Sequence, residues 1–95
     1  MQELMRRALD GNSTSRLEAV QMMGETGQTR FVETLIRLAW TEPNDRVRQA
    51  ALASLQKLVP AAEHPKALPA AKSVPQAVEI WVAWWEDRQT RRARL

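Results

Sequence analysis

Shifted by 32 residues, the chain matches itself. Asn12-Ser13 falls on Asn44-Asp45, Arg16 on Arg48, Ala19 on Ala51, Val20 on Leu52 and Met23 on Leu55. Each pairing keeps its chemistry: a cap residue, an arginine, a small residue, then two apolar positions. A unit of helix, tight turn and helix this short cannot bury its apolar face alone and must stack on a copy of itself. The spacing therefore predicts an all-α fold, a short α-solenoid of antiparallel helix hairpins with about five helices and no sheet. Period-2 alternation never persists anywhere in the chain, which removes the competing strand reading.

Helical spacing recurs along the sequence. Leu4, Met5 and Leu9, with Ala8, predict a short first helix stopped at Asp10-Gly11, where glycine suits a left-handed cap. Leu17, Ala19, Val20 and Met23 form the stripe of a second helix from about Ser13 to Gly24. Ser13 is its candidate N-cap, and Ser15-x-x-Glu18 has the capping-box pattern. Gly24 and Gly27 bracket a tight turn. A third helix carries Phe31, Leu35, Leu38 and Ala39 on one face up to Trp40. The run Thr41 to Asp45 is a turn, with Pro43 ending one helix and Asn44 or Asp45 capping the next. The fourth helix places Val47, Ala51, Leu55 and Leu58 on a single stripe and stops at Pro60.

Between Pro60 and Pro75 the composition changes. Four of the five prolines (Pro60, Pro65, Pro69, Pro75) fall here among alanines, which predicts a linker over the surface with room for one helical turn. A fifth helix follows, with Ser73 or Val74 before it and Pro75 in its first turn. Its stripe is Val74, Ala77, Val78, Trp81 and Trp85. The organisation expected is thus repeats over 1–59, a linker over 60–75, and a Trp-rich helix with a basic tail over 76–95, packed as one domain. That last helix is expected to dock as a cap on the third and fourth helices through Val74, Val78, Trp81 and Trp85. Past Trp85 it turns polar and is expected to fray.

Residues 13–59, which include RLEAVQMMGETGQTRFVETLIRLAWTEPNDRVRQAALASL, resemble HEAT repeats, especially the short type shared with phycobilin lyase-like proteins. The likeness is carried by an arginine and alanine on the first helix, the Gly-containing turn, and the repeat start Asp45-Arg46-Val47-Arg48-Gln49-Ala50-Ala51. Trp81-Val82-Ala83-Trp84-Trp85 is similar to the W-x-x-W-W segments that follow such arrays in some bacterial proteins. The chain departs from the pattern after Pro60, where a second helix B belongs. The resemblance implies stacked helical hairpins that bind partners along the row of B helices. It also implies that Arg16 and Arg48 pair with loop carbonyls or with the acidic residue of an adjacent turn.

Composition excludes several classes of function. The longest run without a charge is Gln49 to Gln56, far short of the roughly 20 apolar residues that span a bilayer. Glu3, Arg6, Arg7 and Asp10 interrupt any apolar core a signal peptide would need. Cysteine is absent, which removes disulfides, thiolate nucleophiles and Cys-based zinc sites. The net charge is +3, but Arg88, Arg91, Arg92 and Arg94 lie in the last eight residues, leaving ten basic and eleven acidic residues over positions 1–87. The basic character belongs to the tail, whereas nucleic-acid-binding domains spread it over one face.

Nothing assembles a catalytic constellation. His64 is the only histidine, set in the linker beside Glu63 and Pro65, and a solvated role is expected for it. Glu86-Asp87 sits at a helix end. Gly24-x-x-Gly27 lacks the strand and the lysine of a phosphate loop. No enzyme activity, catalytic residue, metal or cofactor is expected.

The tryptophans carry the functional reading. Trp81 and Trp85 lie on the apolar stripe of the last helix, while Trp84 is about 80° off its centre at ~100° per residue. Trp40 lies about 130–140° from the centre of its own helix's stripe, beside Arg37 and Glu33. An exposed Trp next to an Arg has the composition of an interface hot spot. Trp40, Arg37, Glu33 and Trp84 are therefore the candidate partner-binding residues, unless the last helix covers Trp40 from within the chain. The partner expected is another protein, such as a subunit of a larger complex. The alternative is a nucleic acid held by the basic C-terminal tail.

Overall fold

A computed structural model describes residues 12–93. It contains α1 (Ser13–Glu25), α2 (Val32–Thr41), α3 (Asp45–Leu58) and α4 (Val74–Ala93), and no strand among the described residues. Single 3-10 turns precede α2 (Thr29–Phe31) and punctuate the long connection to α4 (Ala61–Glu63 and Leu68–Ala70). The first helix expected around Leu4 to Leu9 lies outside the described residues, as does Arg94 of the basic tail.

The internal repeat is written into the helix starts. Asn12 and Asn44 share one backbone conformation, φ −89° and ψ 119°. The Asn12 side chain accepts from Thr14 N at 2.8 Å, and that of Asn44 from Arg46 N at 2.9 Å and Val47 N at 3.3 Å. Each thus satisfies N–H groups the helix itself cannot pair. Asn12 takes the place expected for Ser13, which is already helical, and the Ser15-x-x-Glu18 pattern marks no boundary.

The stops repeat too. Glu42 before Pro43 and Val59 before Pro60 are both extended (ψ 122° and 127°). The proline ring disfavours helical backbone at the residue before it, so α2 ends at Thr41 and α3 at Leu58, directly before each pair.

The core lies on both sides of α3. Val47, Ala51, Leu52, Leu55 and Leu58 are buried against Ala19, Val20 and Met23 of α1 and against Phe31, Val32, Leu35, Ile36, Leu38 and Ala39 of α2 and its leading turn. Val78 and Trp81 of α4 complete this cluster. α3 packs most closely on α1, then on α2; α4 lies mainly along α2 and touches α3 less.

Gly24 corrects one expectation. It is not a turn residue but part of the last turn of α1, buried where α3 crosses. A Cβ there would stand 2.5 Å from Ser54 Oγ and 2.9 Å from Ser54 Cα. Ser54 Oγ instead donates to Val20 O at 2.7 Å, so the crossing buries its hydroxyl with a partner. Gly27 alone supplies the left-handed backbone of the turn, at φ +70°.

The spacing of the helices explains the departure after Pro60. α1 and α3 begin at Ser13 and Asp45, 32 residues apart, whereas α2 and α4 begin at Val32 and Val74, 42 apart. The second repeat has its helix B, delivered by a longer connection. That connection runs over the surface and is held to the body by Pro65, which is buried, and by Leu68, which packs on the core. His64, expected to be solvated, is half-buried. Its Nε2 lies 2.7 Å from Val59 O and 3.2 Å from Gln56 O, carbonyls at the unpaired end of α3, and its ring meets Trp81 edge-on at 5.7 Å. Nor does α4 fray after Trp85. It continues to Ala93, with Arg88 bonded to Glu63 at 2.9 Å and Arg91 to Asp87 at 3.1 Å.

Gly24→Ala separates local from tertiary control of α1. Helix propensity alone makes alanine the better residue by ~1 kcal/mol. The contact with Ser54 reverses the sign, and overpacking of this kind costs about 1–3 kcal/mol. Urea unfolding should therefore show a lower midpoint for the variant; a higher one would mean that α1 and α3 do not approach this closely.

Candidate functional site

Arg16 and Arg48, equivalent by repeat, are engaged in holding the helices together. Arg16 grips Glu42 side-on, Nε to Oε2 at 2.7 Å and Nη2 to Oε1 at 2.8 Å, with the Glu42 side chain only 2% exposed. Glu42 Oε1 also accepts from Asn44 N at 3.2 Å. One carboxylate thereby joins the first turns of α1 to the turn that starts α3. The Arg16 hydrogen bonds, the Asn44 N–H and the nearby positive charge outweigh burial and hold the Glu42 carboxyl below its ordinary value. Arg48 donates to Ala39 O at 3.2 Å. Glu42 was not singled out in the sequence, where it is one polar residue in a turn.

Glu33, Arg37 and Trp40 come together on the outward face of α2. Trp40 is 58% exposed, and Arg37 Nη2 bonds Glu33 Oε1 one turn away at 2.7 Å. α4 runs beside this face without covering it. Glu33, Ile36, Arg37 and Trp40 stand at spacings i, i+3, i+4 and i+7; Glu79, Val82, Ala83 and Glu86 of α4 stand at the same spacings opposite. These two faces, with Thr41 and Trp85, line an open groove of about 740 Å³. Val82, Ala83 and Trp85 supply apolar surface to it, Ile36 is buried beneath it, and Trp40 stands exposed along it. Sequence reasoning missed the α4 half, although its second i, i+3, i+4, i+7 face was visible beside the apolar stripe.

Trp84 does not join this group. It is half-buried on the other side of α4, donating Nε1–H to Glu63 O at 3.0 Å. Arg88 lies over its ring at 4.5 Å, and Trp81 meets it edge-on at 5.1 Å. Trp84 thus fastens α4 to the Ala61–Glu63 turn. It lines a smaller cleft of about 460 Å³ with Thr29, Arg30, Pro60 and Arg88.

Among the described residues no group of three or more His, Cys, Asp or Glu side chains could hold a metal ion. No described helix is long and apolar enough to cross a membrane.

Compared with known families, residues 1–92 match the model for HEAT repeats. The chain belongs to the HEAT-repeat family. No curated protein and no solved structure matches it. HEAT repeats commonly mediate protein–protein contacts and are typically non-catalytic, and the paired helices with their repeated caps are this chain's version of the unit.

The Arg16–Glu42 pair predicts a pH dependence. A carboxyl whose folded pKa is depressed contributes stability that is fully present above its ordinary value of 4.5 and is lost as pH falls through the lower folded value. Glu42→Gln should cost roughly 1.5–3 kcal/mol at pH 7 and progressively less as pH falls below 4.5, so the two unfolding curves converge on acidification. Parallel curves across that range would show that Glu42 is not held ionised by Arg16.

Proposed function

We propose that this HEAT-repeat chain is a non-catalytic interaction module, a scaffold element or accessory subunit, that binds another protein in the groove between α2 and α4. The observation behind it is Trp40. An indole left 58% exposed on a groove that Val82, Ala83 and Trp85 also line is apolar surface of the kind that partners cover. In this reading Trp40 is the apolar anchor, and the Glu33–Arg37 pair is part of the polar rim that screens it from water. Trp84 acts one step back, keeping α4 in position as a groove wall. We read the repeat as the short type shared with phycobilin lyase-like proteins, on the strength of the arginine and alanine of its first helix, the Gly-containing turn and the Asp45 to Ala51 start. Nucleic acid fits less well, because Arg88 and Arg91 are engaged with Glu63 and Asp87 and the groove carries carboxylates.

Affinity capture with wild type, Trp40→Ala and Arg91→Ala tests this. Trp40→Ala should leave stability within about 0.5 kcal/mol of wild type, as for an exposed side chain. It should lose a protein that the other two retain, weakening that complex about 30-fold or more, as a hot-spot residue does (~2 kcal/mol). Identical proteins bound by all three would contradict the anchor role, and recovery of nucleic acid alone would contradict the protein-binding reading.

A further inference from the structure

We infer that the segment received by the α2–α4 groove is a cationic amphipathic helix of another protein. The inference rests on the groove reading above and adds the partner's shape and charge. Shape comes from the two walls. Each is one face of a helix at i, i+3, i+4 and i+7 spacing, and both run for two turns, about 10 Å at 1.5 Å per residue. A channel between two such walls accepts the ridge of a third helix, whose own i, i+3, i+4 and i+7 side chains supply the anchors.

Charge comes from α4. The charged residues lining the groove are Glu33, Arg37, Glu79 and Glu86. Arg37 is already paired with Glu33, whereas Glu79 and Glu86 form no ion pair among the described residues. Two uncompensated carboxylates therefore stand two turns apart along one rim, although the whole chain carries a net +3. A helix with apolar residues toward Trp40, Val82 and Trp85, and Lys or Arg at matching i and i+7 positions along α4, complements both features. The same carboxylates repel phosphate. They also oppose a symmetric pairing of two copies through this groove, which would set like charges against like.

Two tryptophan-free helical peptides with the same apolar stripe, one flanked by lysines and one by glutamates, would be titrated against the full chain and its exposed-site variant Glu79→Lys/Glu86→Lys by calorimetry. Wild type should bind the lysine peptide about tenfold more tightly than the glutamate peptide, the sum of two exposed pairs and the repulsions they replace. The preference should weaken with salt and reverse in the variant, and Trp40→Ala should abolish binding of both peptides. Equal binding of the two peptides by wild type overturns the charge inference while leaving the groove as a docking site. Binding of neither peptide overturns both. Concentration-dependent self-association abolished by Trp40→Ala would assign the groove to a second copy and overturn the inference as well.

Discussion

The crossing of α1 over α3 at Gly24 and Ser54 sets the geometry on which the rest depends. With no side chain at Gly24, the two helices approach until Ser54 reaches the Val20 carbonyl. That closeness buries Ala19, Val20 and Met23 completely against α3. It also brings Arg16 to the turn before α3, where Nε and Nη2 of its guanidinium grip Glu42. A single carboxylate there ties α1, the turn and the start of α3, so the apolar crossing and the polar joint reinforce each other. For a chain of 95 residues, with limited surface to bury, such coupling carries much of the order.

The far side of α3 is closed differently. A ten-residue α2 would leave much of its own apolar face open if the chain stopped at Pro60. The longer connection carries α4 back along α2, and Val78 and Trp81 fill the core from that side. His64 and Trp84 seat the helix, one ring against the end of α3 and the other against the Glu63 carbonyl. α4 uses two of its faces. One faces the core, and the other stands across from Trp40 as the wall of a groove. The surface proposed to bind thus arises from the way the second repeat completes its pair.

Much of this was legible in the residues. The repeat placed the shared caps to within one residue, Asn12 standing where Ser13 was expected, the apolar stripes reported the buried faces, and the angle of Trp40 reported its exposure. What was illegible depends on three-dimensional proximity between distant segments. Gly24 next to a turn looks like a turn glycine, and only Ser54, thirty residues away, gives it a packing role. Glu42 looks like a solvated turn residue until Arg16 reaches it. His64 and Trp84 sit where local pattern predicts water or an open face, yet each meets a carbonyl at the end of α3 or in the following turn. The groove was half visible for the same reason: the Glu33 to Trp40 face could be read from one helix, but its opposing wall required the placement of α4.

That placement is most directly tested by hydrogen exchange resolved to single amides. If α4 is the second helix B of one cooperative unit, amides from Val78 to Trp85 should exchange only through the same global opening that releases Leu52 and Leu55. Their opening free energies should then agree and fall together in denaturant. Exchange of the α4 amides at rates of an undocked helix, with Leu52 and Leu55 still protected, would contradict the fold and remove the groove with it.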